Sequence, residues 1–192
     1  MREALGVSHP IAGFLLASGQ WEDGAKIEVK LFASVGVEVE VAFKIGMPVV
    51  GPGVTASRAL NAVEAIMPAL EVPDLIFTGK PRAVDFIADS GHGKAFVLGK
   101  PVRLTPELDL ALEGVVYEHN GQIVATHTAA EIMGNPLNAL AWLADHLSSR
   151  GRSLKPGDVV MSGSISKLLR PKAGDTIRAR FTRPGYVSAA FV

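Results

Sequence analysis

The stretch Gly36-Val37-Glu38-Val39-Glu40-Val41-Ala42-Phe43 sets two carboxylates at alternate positions of a run that is otherwise wholly apolar. Successive side chains of a β-strand point to opposite faces, so Glu38 and Glu40 share one face while Val37, Val39 and Val41 share the other. The valines mark a core face. An ordinary half-buried strand turns its charged face to water, and that is the plainer reading of this stretch alone. A third oxygen ligand elsewhere would reverse it, because two like charges in a sheltered site call for a cation.

Composition narrows the search. The chain has 192 residues, 48% of them hydrophobic, enough for a sizeable core and most simply one domain over residues 1–192. Lys plus Arg equals Asp plus Glu at 19 each. With no basic block, nucleic acid is not expected as a partner. The absence of cysteine excludes disulfides, thiolate nucleophiles and Cys-ligated metal sites, and it fits a reducing compartment. The apolar piece at 11–17 follows Pro10, has Arg2 balanced by Glu3 before it, and is too short to span a membrane. A soluble, cytoplasmic protein is expected.

Further along, residues 26–32 and 35–43 alternate like strands. Residues 55–67 carry Leu60, Val63, Ile66 and Met67 at helical spacing behind Thr55 as a cap. Residues 69–76 and 94–98 read as strands, and "GMPVVGPG" at 46–53 as a surface connection. "LEGVVYEHNGQIVATHT" at 112–128 is a hairpin whose Asn120-Gly121 suits a type I′ turn. "GNPLNALAWLADHLSSRG" at 134–151 opens with Asn135 as cap and Pro136 at the first helical position, and Leu137, Leu140, Ala141, Ala144 and Leu147 form its apolar face. Trp142 lies off that stripe and is read as packing. Three short strands complete the tail. The reading is α+β, rich in antiparallel pairing.

Candidates for the third ligand are Glu71 and Asp74 in "MPALEVPDLIF", an otherwise apolar run in which at least one acid should face inward; Glu71 is chosen. Three carboxylates without a His or Cys partner suit Mg²⁺ or Mn²⁺ better than zinc. Glu71 buried alone would instead stay protonated. A second cluster, Asp89, Ser90, His92 and Lys94, lies in "ADSGHGK", where Gly91 and Gly93 suggest a loop able to approach a ligand. His92 and Lys94 are candidates for proton transfer or simply solvated loop residues.

In order along the chain, "VEVEVAF", "AIMPALEV", "FIADSGHGKAFVLG", "GNPLNALAWLADHL" and "LKPGDVVMSGS" resemble the 2-keto-4-pentenoate hydratase and 4-oxalocrotonate decarboxylase group of the fumarylacetoacetate hydrolase superfamily. The resemblance implies a rolled, mixed β-sheet with peripheral helices and a divalent metal, Mg²⁺ or Mn²⁺, held by Glu38, Glu40 and Glu71. It implies that the 89–94 loop lines the active site and that Ser162 and Ser164 bind the substrate carboxylate. The substrate would be a small 2-oxo acid or its dienol.

As a hydratase, such an enzyme adds water to 2-hydroxypenta-2,4-dienoate and yields 4-hydroxy-2-oxopentanoate, in the degradation of aromatic compounds. As a decarboxylase it releases the distal carboxylate of a 2-oxo-hexenedioate, which needs a cation such as Lys94 or Arg82. A homo-oligomer is implied, and a complex with a homologous hydratase or decarboxylase. Three departures from the family pattern bear on this. A "KIGLT"-like segment with an active-site lysine is expected to be lacking, because "FKIGM" at 43–47 continues the Glu-x-Glu strand. Ser18 stands where the family has an acid, and "VPDLIF" replaces a segment that carries arginine. These departures also admit a non-catalytic partner subunit.

Overall fold

Alternating valines build the first sheet. Among the described residues, 6–105 and 108–192 of the computed structural model, it runs in the order β1 (Gln20–Glu22), β5 (Ala95–Leu98), β4 (Val63–Val72), β3 (Glu38–Ile45), β8 (Val159–Met161). The second sheet runs β2 (Ala25–Ile27), β10 (Tyr186–Phe191), β9 (Thr176–Phe181), β6 (Gly114–His119), β7 (Gln122–Thr128). Only β1 with β5 and β2 with β10 are parallel; every other pair is antiparallel. This is the rolled, mixed-sheet α+β arrangement that the sequence implied.

Val37, Val39, Val41 and Phe43 are buried, as are Ile66 and Leu70 on the neighbouring strand. They belong to one hydrophobic cluster with Val115, Tyr117, Ile177, Ala179 and Val187 of the second sheet. The Tyr117 hydroxyl donates to the Val37 carbonyl at 3.3 Å, tying the two sheets at the start of the Glu-x-Glu strand. Helices α1 (Ala56–Ala62), α2 (Ala83–Ala88) and α3 (Pro136–Ser148) lie outside the sheets, and α1 packs on α3. Both expected caps form. Thr55 Oγ1 accepts from Arg58 N at 3.2 Å, and Asn135 Oδ1 from Leu137 N at 2.9 Å. Asn120 and Gly121 take positive φ angles of 52° and 74° in the hairpin turn. Trp142 stacks on His146 with ring centroids 4.7 Å apart. No helix among the described residues is long and apolar enough to cross a membrane.

Three expected elements change. The helix foreseen over 55–67 stops at Ala62, and Val63 begins β4. Ile66, Leu70, Ala65, Met67 and Ala69 are all buried, so both faces of this segment are apolar and helical spacing cannot be told from strand alternation. Pairing with β3 decides for the strand. The strand foreseen over 69–76 ends at Val72, beyond which Asp74 keeps a single bridge to Val35. The strand foreseen over 26–32 pairs with β10 only through Ile27 and then coils into a 3-10 turn, Val29–Leu31, closed by Leu31 N on Glu28 O and Phe32 N on Val29 O.

Val39, with no exposed surface, lies on the core side of the Glu-x-Glu strand. Val39→Asp is therefore expected to destabilise the protein by more than about 3 kcal/mol in a denaturant titration followed by circular dichroism, the scale of an unpaired buried charge. A loss within about 0.5 kcal/mol, the scale of a surface substitution, would show that this face is not the core.

Candidate functional site

Strand register assembles the carboxylates. In the β3–β4 ladder Glu38 stands directly opposite Glu71, and Glu40 opposite Ala69. Opposed residues of an antiparallel pair share a face, so all three acids project from the side of the sheet away from the core. One carboxylate oxygen from each lies within 4.8 Å of the others. Ala42, Met67 and Ala69, with Leu98 and Met161 beside them, form a small apolar cluster that continues this face. Glu40 is 2% exposed, whereas Glu38 and Glu71 are half-buried.

Burial and mutual repulsion set the protonation of the group. Burial pushes the Glu40 carboxyl well above the ordinary range, helped by the charges of Glu71 and Glu38; the Gly163 amide opposes the shift. Glu71 is pushed up to about 7, first by burial and then by Glu38. Glu38 is raised by burial.

The "SGSIS" loop closes one side. Gly163 takes φ 94°, a left-handed conformation that favours glycine, and its N–H donates to Glu40 Oε2 at 2.8 Å. Ser164 Oγ donates to the Ser166 carbonyl at 2.6 Å. Ser162 Oγ accepts from Val41 N at 3.1 Å and donates to Gly163 O at 3.2 Å, so both of its hydrogen-bonding directions serve the strand and the loop.

The 89–94 loop approaches from the other side. A Cβ at Gly93 would lie 3.7 Å from Glu71 Oε1 and 2.7 Å from Leu15 Cδ2, so the loop backbone passes close to the Glu71 carboxylate. Next to it, His92 Nδ1 meets Asp89 Oδ2 at 2.7 Å. The ring is held between Phe77, with centroids 5.2 Å apart, and Phe86, edge-on at 4.9 Å. An ionised carboxylate only accepts, so the proton of a neutral His92 belongs on Nδ1 and Nε2 carries the lone pair. Ser90 has a positive φ of 52° at the bend of this loop.

Lys94 points elsewhere. Its Nζ bonds Asp74 Oδ2 at 2.7 Å and the Leu31 carbonyl, and lies 4.6 Å from the centre of the Phe32 ring. Asp74 also accepts from Ala33 N at 2.8 Å and Ser34 N at 3.1 Å. Burial raises this carboxyl, but the Lys94 ammonium and the two amides outweigh it and hold it below its usual value. Of the two acids weighed from sequence, Glu71 thus joins the cluster and Asp74 anchors Lys94. Arg82 clasps Asp85 through Nε at 2.8 Å and Nη2 at 2.9 Å. The sequence reading singled out Gly93 as a loop glycine able to approach a ligand but missed Gly163, whose signal was a glycine between serines just after a strand.

Comparison with known proteins agrees with this geometry. Residues 8–192 match the fumarylacetoacetate (FAA) hydrolase C-terminal family, and the chain belongs to it. It is 35% identical over 178 residues to 2-hydroxyhexa-2,4-dienoate hydratase of Comamonas testosteroni, covering 91% of this chain and 67% of that protein. It is 31% identical over 192 residues to 2-keto-4-pentenoate hydratase of Paraburkholderia xenovorans (strain LB400), covering 100% of this chain and 71% of that one. The solved 4-oxalocrotonate decarboxylase from Pseudomonas putida G7, complexed with magnesium and adipate, superposes with a TM-score of 0.95 at 30% identity, over 100% of this chain and 73% of its own. These relatives are hydratases and a decarboxylase, all lyases.

The raised carboxyl of Glu71 fixes the sign of a pH effect on the metal-free protein. A carboxyl whose pKa is about 7 when folded and 4.5 when unfolded adds stability below 4.5, and that stability is lost as pH rises through 7. In EDTA, the thermal midpoint of the wild type relative to Glu71→Gln should therefore fall between about pH 5 and pH 8. A wild-type minus variant difference that stays constant over this range would show that Glu71 ionises freely in the folded state.

Proposed function

We propose that this chain is a divalent-cation-dependent lyase acting on 2-oxo acids, and that its reaction is addition of water to 2-hydroxypenta-2,4-dienoate to give 4-hydroxy-2-oxopentanoate. The observation that carries the reading is the convergence of Glu38, Glu40 and Glu71 within 4.8 Å on a sheltered face. Three carboxylates are hard oxygen donors and fit Mg²⁺ or Mn²⁺. The raised pKa values of Glu40 and Glu71, set by burial and by neighbouring carboxylates, mark a cluster whose repulsion a cation would relieve. The names of the similar hydratases, and the magnesium in the similar decarboxylase, support the same assignment.

When bound, the cation supplies Lewis-acid stabilisation of the electron pair that builds on the 2-oxo oxygen. Everything else falls to the chain. Glu38, Glu40 and Glu71 would hold the ion, and the Gly163 N–H aims the Glu40 carboxylate. Asp89 fixes the His92 tautomer, leaving Nε2 to move protons. In this scheme it first passes the enol proton toward C5 in the tautomerisation, then accepts one from the water that attacks C4 and delivers it to C3. Phe77 and Phe86 keep the ring in one orientation. Ser90 is the hydroxyl assigned to the substrate carboxylate; Ser162 and Ser164, whose protons go to the Gly163 and Ser166 carbonyls, shape the loop behind it. The single hydrophobic cluster shared by both sheets supports treating the chain as one catalytic unit.

Decarboxylation is the second reading, favoured by the 0.95 TM-score with a decarboxylase. It needs a cation for the distal carboxylate. Lys94 and Arg82, the two expected from sequence, are paired with Asp74 and Asp85, and this favours the hydratase.

The assay is turnover of freshly generated dienol by EDTA-stripped protein with and without Mg²⁺ or Mn²⁺, following loss of conjugated absorbance. Metal-dependent formation of the hydroxy-oxo acid is expected; CO₂ release from the dicarboxylate without turnover of the dienol would select the decarboxylase. Glu40→Gln should weaken calorimetric Mn²⁺ binding by more than about tenfold, about 1.4 kcal/mol, with the circular dichroism spectrum unchanged. Equal Mn²⁺ affinity in wild type, Glu40→Gln and Glu71→Gln would remove the metal site.

A further inference from the structure

The Glu-x-Glu strand loses its regular neighbour where the carboxylates begin. β8 pairs with β3 only at Ala42, Phe43 and Lys44. Toward the strand's start, the backbone groups of Val41, Val39 and Val37 on that edge are taken instead by the segment after β8. Val37 makes an ordinary two-bond bridge, donating to Leu169 O at 2.9 Å and accepting from Leu169 N at 3.0 Å. At the two residues flanking Glu40 the pattern differs. Val39 O accepts from Ile165 N at 2.8 Å, but Val39 N donates to the hydroxyl of Ser166 at 3.1 Å. Val41 O accepts from Ser162 N at 3.0 Å, but Val41 N donates to the hydroxyl of Ser162 at 3.1 Å.

Serine hydroxyls thus stand where a neighbouring strand would present carbonyls. The chain between them is free of the ladder: residues 162–169 cover an edge that 37–41 span, and the surplus arches over the carboxylate face. At the top of that arch the Gly163 N–H reaches Glu40, and next to it the Ser164 hydroxyl is tied to the Ser166 carbonyl. In a continuous ladder, Val39 and Val41 would bond to backbone carbonyls of a flat strand, with no arch left to reach Glu40.

We propose that Ser166 is a positioning residue for the carboxylate site: its hydroxyl seals Val39 and its carbonyl holds Ser164, so that the arch keeps the Gly163 N–H on Glu40 and Glu40 aimed at the cation. Ser162 plays the matching part at Val41. The inference rests on the reading of Glu38, Glu40 and Glu71 as metal ligands, and it assigns function to a serine that touches none of them.

The test compares wild type, Ser166→Ala and Ser166→Thr. Threonine keeps the hydroxyl; alanine removes it. Calorimetric titration of the metal-stripped proteins with Mn²⁺ should show binding weakened about 10- to 100-fold in Ser166→Ala, the usual cost of losing a residue behind the ligands, and largely restored in Ser166→Thr. The second readout needs no metal. Amide exchange followed by NMR in EDTA should show the Gly163 N–H, which Ser166 does not touch, exchanging at least roughly fivefold faster in Ser166→Ala, on the scale of one weakened hydrogen bond, and near the wild-type rate in Ser166→Thr. Unchanged Gly163 exchange in Ser166→Ala, or equal losses in the alanine and threonine variants, would overturn the positioning role. Absence of Mn²⁺ binding by the wild type would overturn the metal reading, and the exchange rates would still decide whether Ser166 sets the arch.

Discussion

The antiparallel register of β3 against β4 is the constraint on which the rest of the site depends. It sets Glu38 opposite Glu71 and puts Glu40 over Ala69, so that three like charges meet on one sheltered patch of sheet. Two neighbouring strands would not adopt that register for the sake of the carboxylates, which repel one another. The opposite face imposes it. Val39, Val41, Phe43, Ile66 and Leu70 are buried in the inter-sheet core, and a slip of one residue would turn every one of them outward. Core burial therefore holds the acids together against their own repulsion, and that tension is relieved by protonation or by a cation.

The surroundings of the patch divide into parts that hold backbone and parts left for chemistry. Lys94, Asp74, Ala33 and Ser34 form a clasp that joins the end of the 89–94 loop to the segment before β3. With that end pinned, Gly93 lies against Glu71, and His92, the residue before it, pairs with Asp89 with its ring between two phenyl rings. On the far side, the arch of residues 162–169 brings the Gly163 amide to Glu40. Each half of the frame is a loop fastened to a strand edge, which gives rigid placement to groups that regular strands cannot present.

Local patterns gave correct answers wherever one interaction fixed the conformation. Asn135-Pro136 starts a helix because a side-chain acceptor and a preset φ act within three residues; Asn120-Gly121 turns a hairpin because few other pairs accept two positive φ angles. Residues 63–67 failed for the opposite reason: apolar on both faces, they satisfy either period, and β3 chose for them. The same holds for Lys94. Its sequence neighbours, two glycines and a histidine, suggested chemistry, while its partner Asp74 lies 20 residues earlier and two of the amides on that partner come from residues 33 and 34.

By itself, then, the sequence determined that Glu38 and Glu40 share a face, since that follows from the geometry of an extended backbone and needs no partner. It also determined the apolar face behind them, the caps, the hairpin and the hard-oxygen character of the donor set. The family pattern added Glu71 and the loop that follows it. Only the tertiary structure decided that Glu71 stands opposite Glu38, that Asp74 belongs to Lys94 rather than to the carboxylates, and that Gly163 and Ser166 complete the frame. Those choices rest on strand register or on hydrogen bonds between residues from 20 to more than a hundred positions apart, and both are fixed only when the two sheets close on a common core.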